Sequence, residues 1–189
     1  MELSKAIVGR RTHRKYLNKK VSHEKLEKLI EYARFAPMGT NLQALKFAII
    51  DDENLVKEVF SYTKWSGYHP ENAPTEAEQP PSYIAMIGDK SLRSSGNFET
   101  DAGAAGTVIC LCAEDMGLAT CWLGAINREE ITKLLKLDEK YDLLYLIAVG
   151  YSDQKAVAID SDGDIKYFTD ENDVLNVPKR TLKEILIKI

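Results

Sequence analysis

The chain has 189 residues, 44% of them apolar and 29% charged, with 25 Lys and Arg against 29 Asp and Glu for a net charge of −4. That is the length of one domain with a globular composition, which excludes a disordered or fibrous polymer. The mild acidity leaves no global electrostatic case for nucleic acid or an anionic membrane.

The longest near-apolar run, 102–113, is well short of the roughly 20 residues a bilayer demands. Residues 1–5 carry no leader core, and Cys110, Cys112 and Cys121 make an odd set, so reduced thiols in a cytoplasmic protein are expected. His13, His23 and His69 are too scattered for a zinc site.

In chain order, Leu3 and Ile7 give a short helix pattern over 2–9, stopped by Gly9. The basic stretch Arg10-Arg11-Thr12-His13-Arg14-Lys15 follows. Ser22 is placed to cap a helix with the apolar stripe Leu26, Leu29, Ile30 and Ala33, ended by Pro37. A turn-rich segment leads to a strand over 45–50, and a helix over 53–62 carries Leu55, Val56, Val59 and Phe60 inward.

Residues 63–81 hold Pro70, Pro74, Pro80 and Pro81 with Trp65 and Tyr68, and predict a long binding loop or lid. A strand over 83–87 precedes a helix over 99–116, whose 102–113 section is apolar on every side. Such a helix is expected to be buried all round, most economically at a subunit interface, with Gly103, Ala104, Ala105 and Gly106 permitting close helix approach. Strands over 120–126 and 143–149 flank a helix starting at Asn127, with Glu130 at capping-box spacing. Asp162-Gly163 signals a turn, 165–168 is extended, and 181–189 is a short helix or a terminal strand. No repeat or domain boundary breaks the chain, which reads as one domain, 1–189.

Phosphate cradles of the Rossmann and P-loop types are missing, and so is a nucleophile elbow. Cys110 and Cys112 sit two apart on a helix, so they face different ways and are expected to be structural. The arginines are the positive signal, since a guanidinium fork binds phosphate oxygens bidentately and Thr12 adds a hydroxyl. The plain alternative is a basic stretch at a helix C-terminus, favoured there by the helix dipole.

The motifs taken together resemble the nitroreductase family of FMN-dependent oxidoreductases. Arg10-Arg11-Thr12-His13-Arg14-Lys15-Tyr16 is similar to its R-R-S-x-R-x-[FY] opening, and Ala36-Pro37-Met38-Gly39-Thr40-Asn41-Leu42-Gln43 to its A-P-S-x-x-N-x-Q segment. Asp101-Ala102-Gly103 and Gly117-Leu118-Ala119-Thr120-Cys121-Trp122-Leu123-Gly124 resemble its central helix and following strand. Val149-Gly150-Tyr151 and Val177-Pro178-Lys179-Arg180-Thr181-Leu182 match its later segments.

The resemblance implies an α+β sandwich, a mainly antiparallel sheet flanked by helices, working as a homodimer with FMN at the interface. It implies that Arg10, Arg11, Thr12 and Arg14 hold the FMN phosphate and ribityl chain, joined by Lys179 or Arg180. Asn41 and Gln43 would meet the flavin across the dimer, and the backbone of Leu123 and Gly124 would lie along its ring near N5. Amide side chains both donate and accept, as the flavin edge requires.

NADH or NADPH would be a transient co-substrate, reducing the flavin before a nitroaromatic or quinone-type acceptor enters, in ping-pong turnover. Metals, nucleic acid and membranes have no part in this reading. The alternatives are the same fold with different chemistry (flavin fragmentation, dehalogenation or dehydrogenation) or a flavin-binding protein without turnover. Met38 and Thr12 depart from the serines of the family pattern, and the loop over 65–81 is peculiar to a subgroup of the family. Trp65 and Tyr68 are candidates either for packing or for contacting the substrate beside the flavin.

Overall fold

The computed structural model describes residues 1–69, 72–94 and 96–189; Pro70, Glu71 and Ser95, the first of them one of the loop prolines, lie outside the described residues. Helix α1 (Leu3–Gly9) runs through the basic stretch into α2 (His23–Ala33), which buries Leu26, Leu29 and Ala33. Ser22 sits at the N-cap of α2 without a side-chain cap bond, whereas the Asp52 carboxylate accepts from the Asn54 and Leu55 N–H groups at the start of α3 (Glu53–Ser61).

Strand β1 (Leu45–Ile50) pairs antiparallel with β2 (Ser82–Asp89), every residue of which is buried. After α4 (Glu99–Asp115) come β3 (Ala119–Leu123), α5 (Arg128–Leu134) and β4 (Tyr141–Gly150), and the sheet order is β1-β2-β4-β3, antiparallel throughout.

Period-two alternation divides the core between the two faces of this sheet. Ile84, Met86, Ile147 and Val149 face α2 and α4, while Tyr83, Ala85, Leu146 and Ala148 face α3 and α5. A fully buried Leu or Ile of this kind contributes about 1.5–3 kcal/mol.

A second sheet holds β5 (Ala156–Ser161), β6 (Phe168–Thr169) and β7 (Leu175–Arg180) in the order β5-β7-β6, with β5 and β7 parallel. Helix α6 (Leu182–Ile185) follows, and Ile185, Leu186, Ile187 and Ile189 are exposed. Among the described residues no helix is long and apolar enough to cross a membrane.

One expectation changes. The strand expected over 120–126 ends at Leu123, because residues 125–127 leave β4 and pair with the segment after α3. Lys64 N–H donates to the Ala125 carbonyl, Asn127 N–H donates to the Tyr62 carbonyl, and Thr63 bridges Ile126.

Within one chain, helix α4 is buried on one side. Ala102, Ala105, Ile109 and Ala113 are fully buried within the chain against α2 and the sheet, leaving Thr107 exposed and Gly103 half-exposed. Gly106 serves the chain itself, since a Cβ there would stand 2.2 Å from the Trp122 ring. The small residues Ala105 and Gly106 therefore close the helix onto its own sheet. Only the opposite face is left for a neighbour.

Candidate functional site

The basic stretch is fastened to β3. Thr12 forms a parallel bridge with Thr120, and His13 N–H donates to the Thr120 carbonyl at 3.0 Å. Tyr16 locks the far end, its hydroxyl donating to the His13 carbonyl.

The five guanidinium and ammonium groups of Arg10, Arg11, Arg14, Lys179 and Arg180 then separate by their contacts. Arg11 is buried, and its guanidinium donates to the Val8 and Arg10 carbonyls at the end of α1. In these contacts it matches the helix-end cation of the plain alternative, although it also borders the cationic cavity; burial lowers its pKa, with Arg10 adding to the effect. Arg10, Arg14 and Lys179 are different. They line one cavity of about 100 Å³ together with Arg11, Thr12, Val177 and Tyr167.

The ion pairs of the described residues include none made by Arg10, Arg14 or Lys179. Lys179 is held below the usual lysine range by burial, then by Arg11 and Arg10. His13 is likewise pushed down by burial and by Arg10 and Arg14, so it adds no charge at neutral pH, and its buried Nδ1 has no hydrogen-bond partner. Arg180 turns away to Glu184 at 3.5 Å. Cations without carboxylate partners around a small cavity suit an anion, and Lys179 rather than Arg180 lines that cavity.

A second cavity of about 290 Å³ shares Arg10 and Thr12 with the first and continues along β3 past Thr107, Thr120 and Trp122. Three hydroxyls thus lie between the cationic end and the Trp122 ring. Cys110 lines it too, but burial raises its thiol pKa and Thr120 is its hydrogen-bond partner, so it is a packing residue, as are the free Cys112 and Cys121. Thr107 and Thr120 were not singled out from sequence. The alternation along β3, which puts Thr120 and Trp122 on one face, was the available signal.

Gly124, at the end of β3, is exposed, and a Cβ there would make only an ordinary 3.6 Å contact with Tyr145. The chain's own packing does not require glycine at this point, which leaves the space for an outside group. This donor set fits FMN: cations for a phosphate, hydroxyls for a polyol, and an open strand end for a flat ring.

Asn41 and Gln43 line neither cavity of the cationic end. They are exposed, in a segment where Thr40, Asn41 and Gln43 all have positive φ (49°, 55° and 52°). The segment is pinned at Gly39, whose N–H donates to Asp101 Oδ1 at 2.9 Å and whose carbonyl accepts from Arg93 Nη2. Asp101 and Arg93 form a buried ion pair at 2.8 Å. A Cβ on Gly39 would sit 3.2 Å from that guanidinium, so the close approach favours glycine. Within one chain the amide pair and the cationic cavity are therefore separate.

The two loop aromatics are accounted for by packing. The Trp65 indole N–H donates to Thr63 Oγ1, and its ring lies 6.0 Å from Phe60 on the α3 side of the sheet. Tyr68 is exposed and packs on Tyr167 with ring centroids 5.5 Å apart.

Comparison with known proteins agrees with these features. The model of the family described as the nitroreductase family matches residues 7–151. An Archaeoglobus fulgidus protein carrying the provisional name NADH dehydrogenase/NAD(P)H nitroreductase is 28% identical over 156 residues, which are 79% of this chain and 85% of the relative. A solved structure of an FMN-dependent nitroreductase from Clostridium difficile R20291 is 28% identical, with a TM-score of 0.67 over 83% of this chain and 91% of that one. A Streptococcus pneumoniae structure, 17% identical, shares the fold over 100% of both chains with a TM-score of 0.72.

Proposed function

The chain belongs to the nitroreductase family, and from that premise we propose that it is an FMN-dependent oxidoreductase taking hydride from NADH or NADPH and passing it to a small planar acceptor of the nitroaromatic or quinone type. The observation that carries the reading is the cationic cavity of Arg10, Arg14 and Lys179, which opens without a carboxylate partner onto the hydroxyl-lined surface of β3. The names of the relatives support the cofactor and the donor.

When bound, FMN supplies the hydride-transfer chemistry, so the protein needs no acid–base pair of its own. Arg10, Arg14 and Lys179 hold the phosphate with charged hydrogen bonds. Thr12, Thr107 and Thr120 offer hydroxyls to the ribityl chain. The backbone at Leu123 and Gly124 borders the ring, and Trp122, flat on Gly106, gives that end an apolar wall.

Asn41 and Gln43 come from a second copy of the chain, so the working unit is a homodimer and all 189 residues form one FMN-binding unit. The exposed side of α4 and the separation of the amide segment from the cations in one chain support this assembly.

With no separate dinucleotide cradle, donor and acceptor use one surface in turn. The protein should purify yellow, and NADH or NADPH should bleach it before any acceptor is added. Double-reciprocal plots at several acceptor concentrations should be parallel. Intersecting lines would mean a second nicotinamide site, and a protein that retains FMN but is bleached by neither nucleotide would remove the reductase reading.

A further inference from the structure

Two segments outside the quoted motifs meet above the cationic cavity. From the accessory sheet comes Tyr167, half-buried, just before β6. Its ring lies under the Arg14 guanidinium, 4.5 Å from centroid to Cζ, and it is itself one wall of the cavity. From the long loop come three side chains that grip Tyr167. The Tyr68 ring stands 5.5 Å away, the His69 ring 5.7 Å away edge-on, and Ser66 Oγ is 3.3 Å from the phenolic oxygen. Ser66 is buried and has a positive φ of 54°, so the loop is held in a specific turn to make this contact.

A guanidinium on a long flexible stem loses entropy when it is fixed on a ligand, and a ring beneath it reduces that loss by stacking. Among the described residues no carboxylate pairs with Arg14. Its backbone N–H is tied to Gln154 Oε1 at 3.3 Å, which fixes where the stem starts but not where the fork points. Tyr167 supplies that missing constraint, and the loop supplies the constraint on Tyr167.

We propose that Tyr167 is a positioning residue for the phosphate end of the cofactor, holding Arg14 toward the cavity, and that residues 66–69 of the loop set how well it does so. The loop would then govern cofactor retention at the phosphate rather than substrate choice at the ring. This rests on the FMN reading above.

The test compares FMN with riboflavin, which differs only in lacking the phosphate, by fluorescence titration of the purified dimer or monomer as it exists. In the wild type FMN should bind much more tightly than riboflavin. Tyr167→Leu should weaken FMN binding about 10-fold, the scale of a partly desolvated cation–π contact, and leave riboflavin within about twofold. Tyr167→Phe, which keeps the ring, should restore most of the loss. Tyr68→Ala, at an exposed position that does not threaten folding, should give a smaller FMN-specific loss of about twofold to threefold.

In a double-mutant cycle, Tyr167→Leu should cost little more once Arg14 is Gln. Equal losses for FMN and riboflavin, or full additivity with Arg14→Gln, would make Tyr167 merely structural and overturn the inference alone. A wild type that does not prefer FMN to riboflavin would overturn the phosphate reading, and this inference with it.

Discussion

The cationic cavity and the amide segment are two halves of one proposed site, built in opposite ways. Residues 10–14, Lys179 and Tyr167 come from distant parts of the chain and meet in a single copy, so the anion-binding half is complete by itself. Residues 40–43 are exposed, Thr40, Asn41 and Gln43 have positive φ, and the Gln43 amide donates to the Asn41 carbonyl at 3.4 Å. Sparsely populated backbone of this kind costs roughly 1–3 kcal/mol per residue and persists only where the surroundings impose it. Here the Arg93–Asp101 pair imposes it at Gly39. One half is lined by its own charges, whereas the other is pinned in place away from them.

The largest effect should come from removing that imposition. Asp101→Ala leaves a mostly buried Arg93 unpaired and frees the Gly39 N–H, and should lower unfolding stability by about 3–5 kcal/mol in a urea titration. A loss well under 1 kcal/mol would mean that the segment holds its shape by other contacts. Next, Arg14→Ala should weaken FMN binding by about 1.5–3 kcal/mol, the scale of a charged hydrogen bond, with little change in stability. Unchanged affinity would remove the phosphate assignment.

Asn41→Ala should cost only about 0.5–1.5 kcal/mol of FMN affinity, as a neutral hydrogen bond does, and only at concentrations where the dimer persists. The same loss in dilute monomer would show that the amide acts within its own chain.

The smallest effect is one of pH. Lys179 is depressed in the free protein by burial and by Arg11 and Arg10, and a bound phosphate would raise it again. A cation whose pKa is higher in the complex favours binding below its free value and withdraws that help as pH rises through the bound value. FMN affinity should therefore fall on the alkaline side, and Lys179→Arg should flatten that limb of the profile. An unchanged slope in the variant would place the titration elsewhere.

Much of the main sheet was legible because its signals are local. The strand expected over 45–50 is β1, and those expected over 83–87 and 143–149 lie within β2 and β4. The ordered motifs located the basic stretch and β3. Other features depended on partners that sequence does not reveal. A guanidinium reads the same whether it meets a ligand or a carbonyl, so Arg11 as a helix-end cap was not separable from Arg10 and Arg14. Hydropathy reports that residues 102–113 avoid water, not whether their own sheet or a neighbour covers them. The parallel pairing of β5 with β7, and the place of Tyr167 beside Arg14, join residues far apart in sequence and leave no periodic trace.

The chain's two tryptophans lie on opposite faces of the main sheet. Trp122 rests on Gly106 and borders the β3 cavity, while Trp65 sits beside Phe60 behind the strands. The protein therefore carries two optical reporters with different views. A bound isoalloxazine absorbs near the emission of indole, so energy transfer should darken Trp122 most strongly, through its short separation from the cavity. Emission from a Trp122→Phe variant would then follow the packing of the loop and α3, giving one chain separate light signals for cofactor arrival and for the state of its far side.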